Sequence, residues 1–549
     1  MTNRSLAAAS LATALLVASP PDLRAKPPTL TGFFPAGAER GRTLTVRAAG
    51  TFDHWPVQCW VEKDAGLTVK VADKKNELAF EVAADARPGV RWVRLYDEEG
   101  ATSLRPFHVG ALPELTESEP NDDPRRPQAI EQPRVVLNGR LEKSGDVDGF
   151  AVKLDKGRTL AADLEADRLG SPMDAVLQVV SAEGFVLAQN NDAIGPDPRI
   201  IFEAPATGTY IVRLFAFPST PDSSIRFAGG PAYVYRLTLT IDGFIEHAFP
   251  LAASRENPTP VAAVGPNIAE ADSALVVPSD DRLELVSLSS PALAGAAAVR
   301  RVAGAVEVEV EPNDPAKPQP LADRGAVSGR IDPPGDRDAY RIALKKGEKR
   351  RFRLESRAFG LPLDAVLQIL GPDGKTLAEL DDVRGSQTPD PELVFTPRDD
   401  GDYVVAVHDL NRRGGPNYAY LLSVVAPDPD FAMTLAADVF NLTPGKEAKV
   451  VVAIDRKNDH GEPIEVTAEG LPAGVTATTA LSTKSGASAK SVTIELKGGG
   501  EARSGPFRIV GRSPDHRSGE RAALAKITGF RAETDRPWLT ILPPSETKK

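Results

Sequence analysis

Two acidic motifs carry the chemistry this chain can offer. In Glu117-Ser118-Glu119-Pro120-Asn121-Asp122 the proline disfavours helix at the residue before it. The segment is therefore expected to run extended, with Glu117, Glu119 and Asn121 facing one way at a spacing of two. Glu309, Glu311 and Asn313, with Pro312 and Asp314, repeat the arrangement. Further along, each copy adds an aspartate pair, Asp146/Asp148 and Asp336/Asp338, at the mouth of an expected strand. Carboxylates gathered this way repel one another unless a cation sits between them. A hard cation with six to eight oxygen ligands at about 2.3–2.6 Å suits an all-oxygen set, which points to calcium rather than zinc. The plainer alternative is a solvated acidic linker followed by an Asx-type turn. Recurrence of both halves in both copies favours calcium.

Other chemical signals are sparse. The six histidines, at 54, 108, 247, 408, 460 and 516, are scattered, with no HExxH pair. No GxSxG elbow occurs. The single cysteine, Cys59, excludes an internal disulfide framework and any Cys-based zinc or iron–sulfur site. Beside Trp60 in an expected strand, it reads as core rather than nucleophile. Gly371-Pro372-Asp373-Gly374-Lys375-Thr376 imitates the end of a P-loop, but a hairpin turn with Gly374 at positive φ explains it better. No carboxylate pair is left over for glycoside hydrolysis once calcium claims the acidic pairs. The expectation is a protein with no catalytic residues. Tyr233/Tyr235 and Tyr418/Tyr420 would make an aromatic platform for a protein fibre or glycan. They share parity with Leu237/Leu239 and Leu422/Val424, however, so core packing is expected. Phe215, Phe217 and the loop Pro218–Pro231 are the expected surface contacts.

The elements that must position the acidic groups come in duplicate. NGRLEKSGDVDGFAVKL (138–154) recurs as SGRIDPPGDRDAYRIAL (328–344), and MDAVLQVVSAEGFVLAQNND (173–192) as LDAVLQILGPDGKTLAELDD (363–382). PDPRIIFEAPATGTYIVRL (196–214) recurs as PDPELVFTPRDDGDYVVAV (389–407), and YVYRLTL (233–239) as YAYLLSV (418–424). A weaker echo precedes each copy, FPAGAERGRTLTVRAAG (34–50) against FPLAASRENPTPVAAVG (249–265). Apolar residues alternate in Phe150–Leu154 and Tyr340–Leu344, and turn formers punctuate the chain at short intervals. No window holds a 3.6-residue period. The fold class is therefore all-β, as tandem β-sandwich domains.

Length and composition bound the rest. The 549 residues imply several domains. A net charge of −11 argues against a nucleic-acid partner, which calls for a basic patch. Ser5–Ala18 is an apolar run too short to span a bilayer, and with the small residues after it reads as a secretory signal, cut after Ala25. No longer apolar run follows, so no membrane span is expected after cleavage. The expected location is secreted, periplasmic or at the cell surface. The expected division is a signal over 1–25, an Ig-like domain over 26–112 and a first repeat domain over 113–243. A degenerate Ig-like module or linker follows over 244–305, then a second repeat domain over 306–427 and a C-terminal Ig-like domain over 428–549.

E-x-E-P-N-D, G-D-x-D-x-[FY], the D-A-V-L-Q strand and T-G-T-Y or D-G-D-Y, in that order, resemble the bacterial pre-peptidase C-terminal (PPC) domain. That family includes the collagen-binding domains of clostridial collagenases. The resemblance covers both repeats and implies a jelly-roll-like sandwich, usually appended to secreted peptidases, with calcium near its N-terminal linker. The ligands it implies are Glu117, Glu119, Asn121, Asp146 and Asp148, with Asp122 beside them. In the second copy they are Glu309, Glu311, Asn313, Asp336 and Asp338, with Asp314 beside them. Residues 26–112 resemble the IPT/TIG fold by strand pattern. The modules consume the chain, leaving no stretch of about 200 residues for a peptidase domain. The functional expectation is an exported, non-catalytic protein that binds or presents at the envelope, its partner an extracellular protein or glycan polymer. The alternatives are an accessory or catalytic subunit of a secreted peptidase or polysaccharide hydrolase, or a pure spacer.

Overall fold

The computed structural model describes residues 26–543, except 64, 221–225, 280–283, 323, 383–389, 499–502 and 514–518. The expected signal at 1–25, His516 and part of the Pro218–Pro231 loop lie outside the described residues. What is described is built of strands, and its four helical segments are 3-10 turns of three residues each. The all-β expectation holds. Among the described residues no helix is long and apolar enough to cross a membrane.

Each repeat is a pair of five-stranded sheets with matching strand orders. In the first repeat one sheet runs Glu114–Thr116, Arg134–Arg140, Val234–Thr240, Thr159–Glu165 and Arg199–Glu203. Its partner sheet runs Gln128–Ala129, Asp148–Leu154, Gly208–Pro218, Met173–Ser181 and Val186–Asn190. In the second repeat the corresponding sheets are centred on Ala419–Val425 and Gly401–Asp409. Alternation explains the packing. Phe150, Val152 and Leu154 point into the first core, while Lys153 between them is exposed. Tyr235 and Tyr420 are fully buried, and Tyr233 and Tyr418 pack against the same cores, as their parity implied. The Gly371–Thr376 segment is a hairpin turn: Gly374 sits at φ 76° and its N–H donates to the Gly371 carbonyl at 2.9 Å. Cys59 lies half-buried against the core of the first module, and burial pushes its thiol up to about 12.

Arg236 lies on the other face of its strand from Tyr235. Alternation assigns it to the outer, polar face of its strand, yet it is only 6% exposed. The reason is that the first small module covers that face. Residues 30–109 hold one core and residues 245–299 another, and each of these small modules packs on the sandwich that follows it. The echoing segments make matching contacts. The Ala36 N–H donates to Asn138 Oδ1 at 3.1 Å, and the Leu251 N–H donates to Ser328 Oγ at 3.0 Å. The Arg140 guanidinium lies 5.1 Å from the Phe34 ring, and that of Arg330 lies 4.5 Å from Phe249.

The last module, with a core running from Phe431 to Ile541, returns to the first. The buried Arg94 guanidinium donates to Asp438 Oδ2 at 2.8 Å and to the Thr102 carbonyl at 2.7 Å. Trp538 contacts Trp60 and Tyr96, and Phe530 contacts Trp92.

Candidate metal centres

In the first repeat the acidic linker follows strand Glu114–Thr116, which runs parallel to Arg134–Arg140. That pairing carries Glu117 inward, where Oε1 accepts the Arg140 N–H at 2.6 Å and Oε2 accepts the Tyr235 hydroxyl at 2.7 Å. The same hydroxyl lies 2.5 Å from Asp148 Oδ2. Asp148 opens strand Asp148–Leu154 and has no exposed surface. One carboxylate oxygen from each of Glu119, Asp122, Asp146 and Asp148 lies within 4.8 Å of the others. Glu119 Oε2 also accepts the Asn121 N–H at 3.0 Å, and Asp146 Oδ2 accepts the Glu142 N–H at 2.5 Å.

What remains unsatisfied is more telling than what is bonded. Both amide atoms of Asn121 and the Oδ1 atoms of Asp122, Asp146 and Asp148 are buried without a hydrogen-bond partner. Burial, and then the neighbouring Glu117 charge, push the Asp148 carboxyl far above the ordinary range; burial pushes Glu117 up as well. Buried polar atoms are nearly always paired, and leaving a charged one bare is expensive. An oxygen-only set of four carboxylates and an amide carbonyl fits a hard divalent cation.

The second repeat gathers a smaller set. Carboxylate oxygens of Glu309, Glu311 and Asp338 lie within 4.8 Å of one another. Tyr420 donates to Asp338 Oδ2 at 2.6 Å and lies 2.6 Å from the Tyr340 hydroxyl. Glu309 Oε2 accepts the Arg330 N–H at 2.7 Å. Both amide atoms of Asn313, and Asp338 Oδ1, are buried without a partner. Burial raises Asp338 and Glu309 as it does their counterparts. Asp336 and Asp314 are engaged locally: Asp336 Oδ1 accepts the Arg337 N–H at 2.8 Å, and Asp314 Oδ1 accepts from Ala316 and Lys317 at 2.8 and 3.1 Å.

The two copies therefore use the expected residues unequally. Glu117 stands behind the first cluster with its second oxygen taken by the Tyr235 hydroxyl, while its counterpart Glu309, which accepts the matching Arg330 N–H, belongs to the second. The two tyrosine hydroxyls were missed as parts of the site. The signal was present, because a buried tyrosine must find a partner for its hydroxyl and the strand-mouth aspartates are the polar groups at hand.

No family model matches the chain. A probable subtilase-type serine protease of Deinococcus radiodurans is 35% identical over 98 residues, which is 18% of this chain and 14% of that protein. The chain thus spans a small part of that relative. Among solved structures, the periplasmic g-type lysozyme inhibitor PliG of Aeromonas hydrophila is 12% identical, over 23% of this chain and 96% of that one, with a TM-score of 0.16. SGBP-B of a Bacteroides ovatus mixed-linkage glucan utilization locus, solved with a heptasaccharide, is 10% identical over 71% of this chain and 74% of that one, with a TM-score of 0.13.

Proposed function

We propose that this chain is an exported modular β-protein that binds or presents at the cell envelope or outside the cell, without catalysis of its own. In this reading its two repeats are PPC-like sandwiches, each braced by a calcium ion. The observation that carries it is the bare, buried oxygen of Asp148 in one repeat and of Asp338 in the other, each beside an equally unpartnered asparagine. Calcium would be held by Glu119, Asn121, Asp122, Asp146 and Asp148 in the first repeat and by Glu309, Glu311, Asn313 and Asp338 in the second. It would supply positive charge that ties each acidic linker to its sandwich. A second reading, an accessory subunit of a secreted peptidase, is favoured by the stretch shared with a subtilase-type protease.

Calorimetric unfolding of the full mature chain tests the calcium. Added calcium at a hundredfold excess over its Kd is expected to stabilise the occupied chain by about 2.7 kcal/mol per site. EDTA reverses the gain, and Asp146→Ala or Asp338→Ala each removes one site's share. An unfolding profile indifferent to EDTA in the parent and in both variants sinks the calcium reading.

A further inference from the structure

The strand that opens at each cluster aspartate carries one difference between the copies. Phe150 follows Asp148 by two residues, and Tyr340 follows Asp338 by two. They hold the same place, pairing with Gln128 and Gln319 in matching parallel ladders. Both are fully buried in the cores of their sandwiches, and they differ by a single hydroxyl.

That hydroxyl changes what the neighbouring tyrosine touches. A phenol offers one hydrogen and two lone pairs. In the first repeat Tyr235 stands between two carboxylates, 2.7 Å from Glu117 Oε2 and 2.5 Å from Asp148 Oδ2, and Phe150 brings no polar atom to it. In the second repeat Tyr420 donates to Asp338 Oδ2 at 2.6 Å and lies 2.6 Å from the Tyr340 hydroxyl. Its hydrogen and a lone pair are then used without a glutamate. Glu309, whose Oε2 accepts the Arg330 N–H, gives a carboxylate oxygen to the cluster with Glu311 and Asp338.

Room does not explain the difference. A Cβ on Gly139 would strike both the Tyr235 hydroxyl and Glu117 Oε2, and one on Gly329 would strike the Tyr420 hydroxyl and Glu309 Oε2. Both copies therefore bring the glutamate and the phenol to the same bare stretch of backbone. Beside each cluster stands an asparagine, Asn121 or Asn313, 1% exposed and with both amide atoms unpartnered, an independent sign that each cluster faces a ligand.

We propose that the residue at 150 and 340 is a positioning residue that sets each calcium ligand set. Phenylalanine leaves Glu117 with Tyr235 and outside the first set; tyrosine satisfies Tyr420 and releases Glu309 into the second. The proposal rests on the calcium reading and deepens it.

The test is calorimetric titration of the full mature chain with calcium chloride. The first repeat is read in an Asp338→Ala background and the second in an Asp146→Ala background. In the second repeat Glu309→Gln should weaken calcium about tenfold or more, and Asp314→Asn by less than about threefold. The order reverses in the first repeat, where Asp122→Asn should cost about tenfold or more and Glu117→Gln less than about threefold. Tyr340→Phe should weaken the second site, and Glu309→Gln added to it should then cost little more, because the two residues act as a unit. Unfolding in EDTA shows whether Tyr340→Phe is folded, and the glutamate comparison stands without that variant. Equal penalties for Glu117→Gln and Glu309→Gln overturn the proposal. So do additive losses for Tyr340→Phe and Glu309→Gln, which would leave Tyr340 a core residue only. No calcium uptake by either repeat of the parent discards the calcium reading and this proposal together; uptake with equal or additive penalties discards this proposal alone.

Discussion

The two small modules meet their sandwiches at matching positions filled with different chemistry. His108 lies in register with Gly37, and Arg300 with Ala252, the residues that correspond in the echoing segments. At the first joint His108 sits 3.3 Å from Glu165, and Arg236 bridges Glu165 to Glu114 at 2.6 Å on each side. At the second joint Arg300 itself contacts Glu355 at 2.5 Å, and Leu421 occupies the place of Arg236 in a small apolar cluster with Leu251 and Leu361. One backbone arrangement is thus held either by a buried polar network or by Arg300 and Arg353 meeting on one carboxylate, Glu355, laid beside aliphatic packing. In the network each member depends on the others, because removing one leaves partners charged and dry. The second joint concentrates its electrostatics in fewer groups and should tolerate change better.

Arg236→Leu breaks the comparison most severely. It gives the first joint the second's aliphatic residue but strands Glu114 and Glu165 in a buried site. A loss of about 3–5 kcal/mol is expected in denaturant unfolding. Adding His108→Arg grafts the other half of the second joint and should restore more than half of that loss. A double variant no more stable than Arg236→Leu alone would show that the two joints are not interchangeable designs.

Acid separates the joints next. Burial lowers His108 to about 4, with the cations Arg236 and Arg168 opposing its protonation and Glu165 favouring it. A group whose folded pKa is depressed is held neutral by folding, so its contribution is complete above about 6.5 and is lost as pH falls toward 4. The loss at pH 4 is about 3 kcal/mol for a shift of this size. His108→Gln should flatten the stability profile between pH 6.5 and 4 by that amount. His247, also lowered to about 4 by burial, should leave a second, separable component. At the second joint Arg300 stands where His108 stands in the first, so no histidine faces Glu355 from that position. An unchanged slope in His108→Gln would mean that the imidazole is not dry in solution.

How much of this was legible beforehand depended on whether the pattern was local or repeated. The sandwiches could be read from alternation in stretches such as Phe150–Leu154, and the acidic clusters from their recurrence. The joints were half visible. The echo between 34–50 and 249–265 located them, but strand parity only distinguishes the two faces of a strand and is silent about a face covered by another module, as that of Arg236 is. Leu421, apolar at the same outward position in the second copy, was the available clue that both outer faces are covered. The meeting of Arg94 with Asp438 joins residues far apart in the chain through a single pair, and no periodicity or repeat announces it. Glu117 shows the same limit at close range. Extended spacing grouped it with Glu119, but a hydroxyl from a strand more than a hundred residues later, Tyr235, decides where its carboxylate goes.

The smallest difference between the joints lies in the side chain that receives the small module's backbone. Asn138 accepts the Ala36 N–H and also donates to Glu114 Oε2 at 2.7 Å, which ties the contact into the charged network. Ser328 accepts the Leu251 N–H and sits in its sheet with no exposed surface. Ser328→Ala therefore leaves one buried N–H unpaired, for a loss of about 1–3 kcal/mol toward the lower end, since a serine contributes little else here. Asn138→Ala leaves the Ala36 N–H unpaired and also frees a carboxylate from one of its donors, so its cost should exceed that of Ser328→Ala by about 1 kcal/mol. Urea midpoints at constant m-value distinguish the two. Equal losses would place the asparagine outside the network, and the first joint would then rest on Arg236 alone.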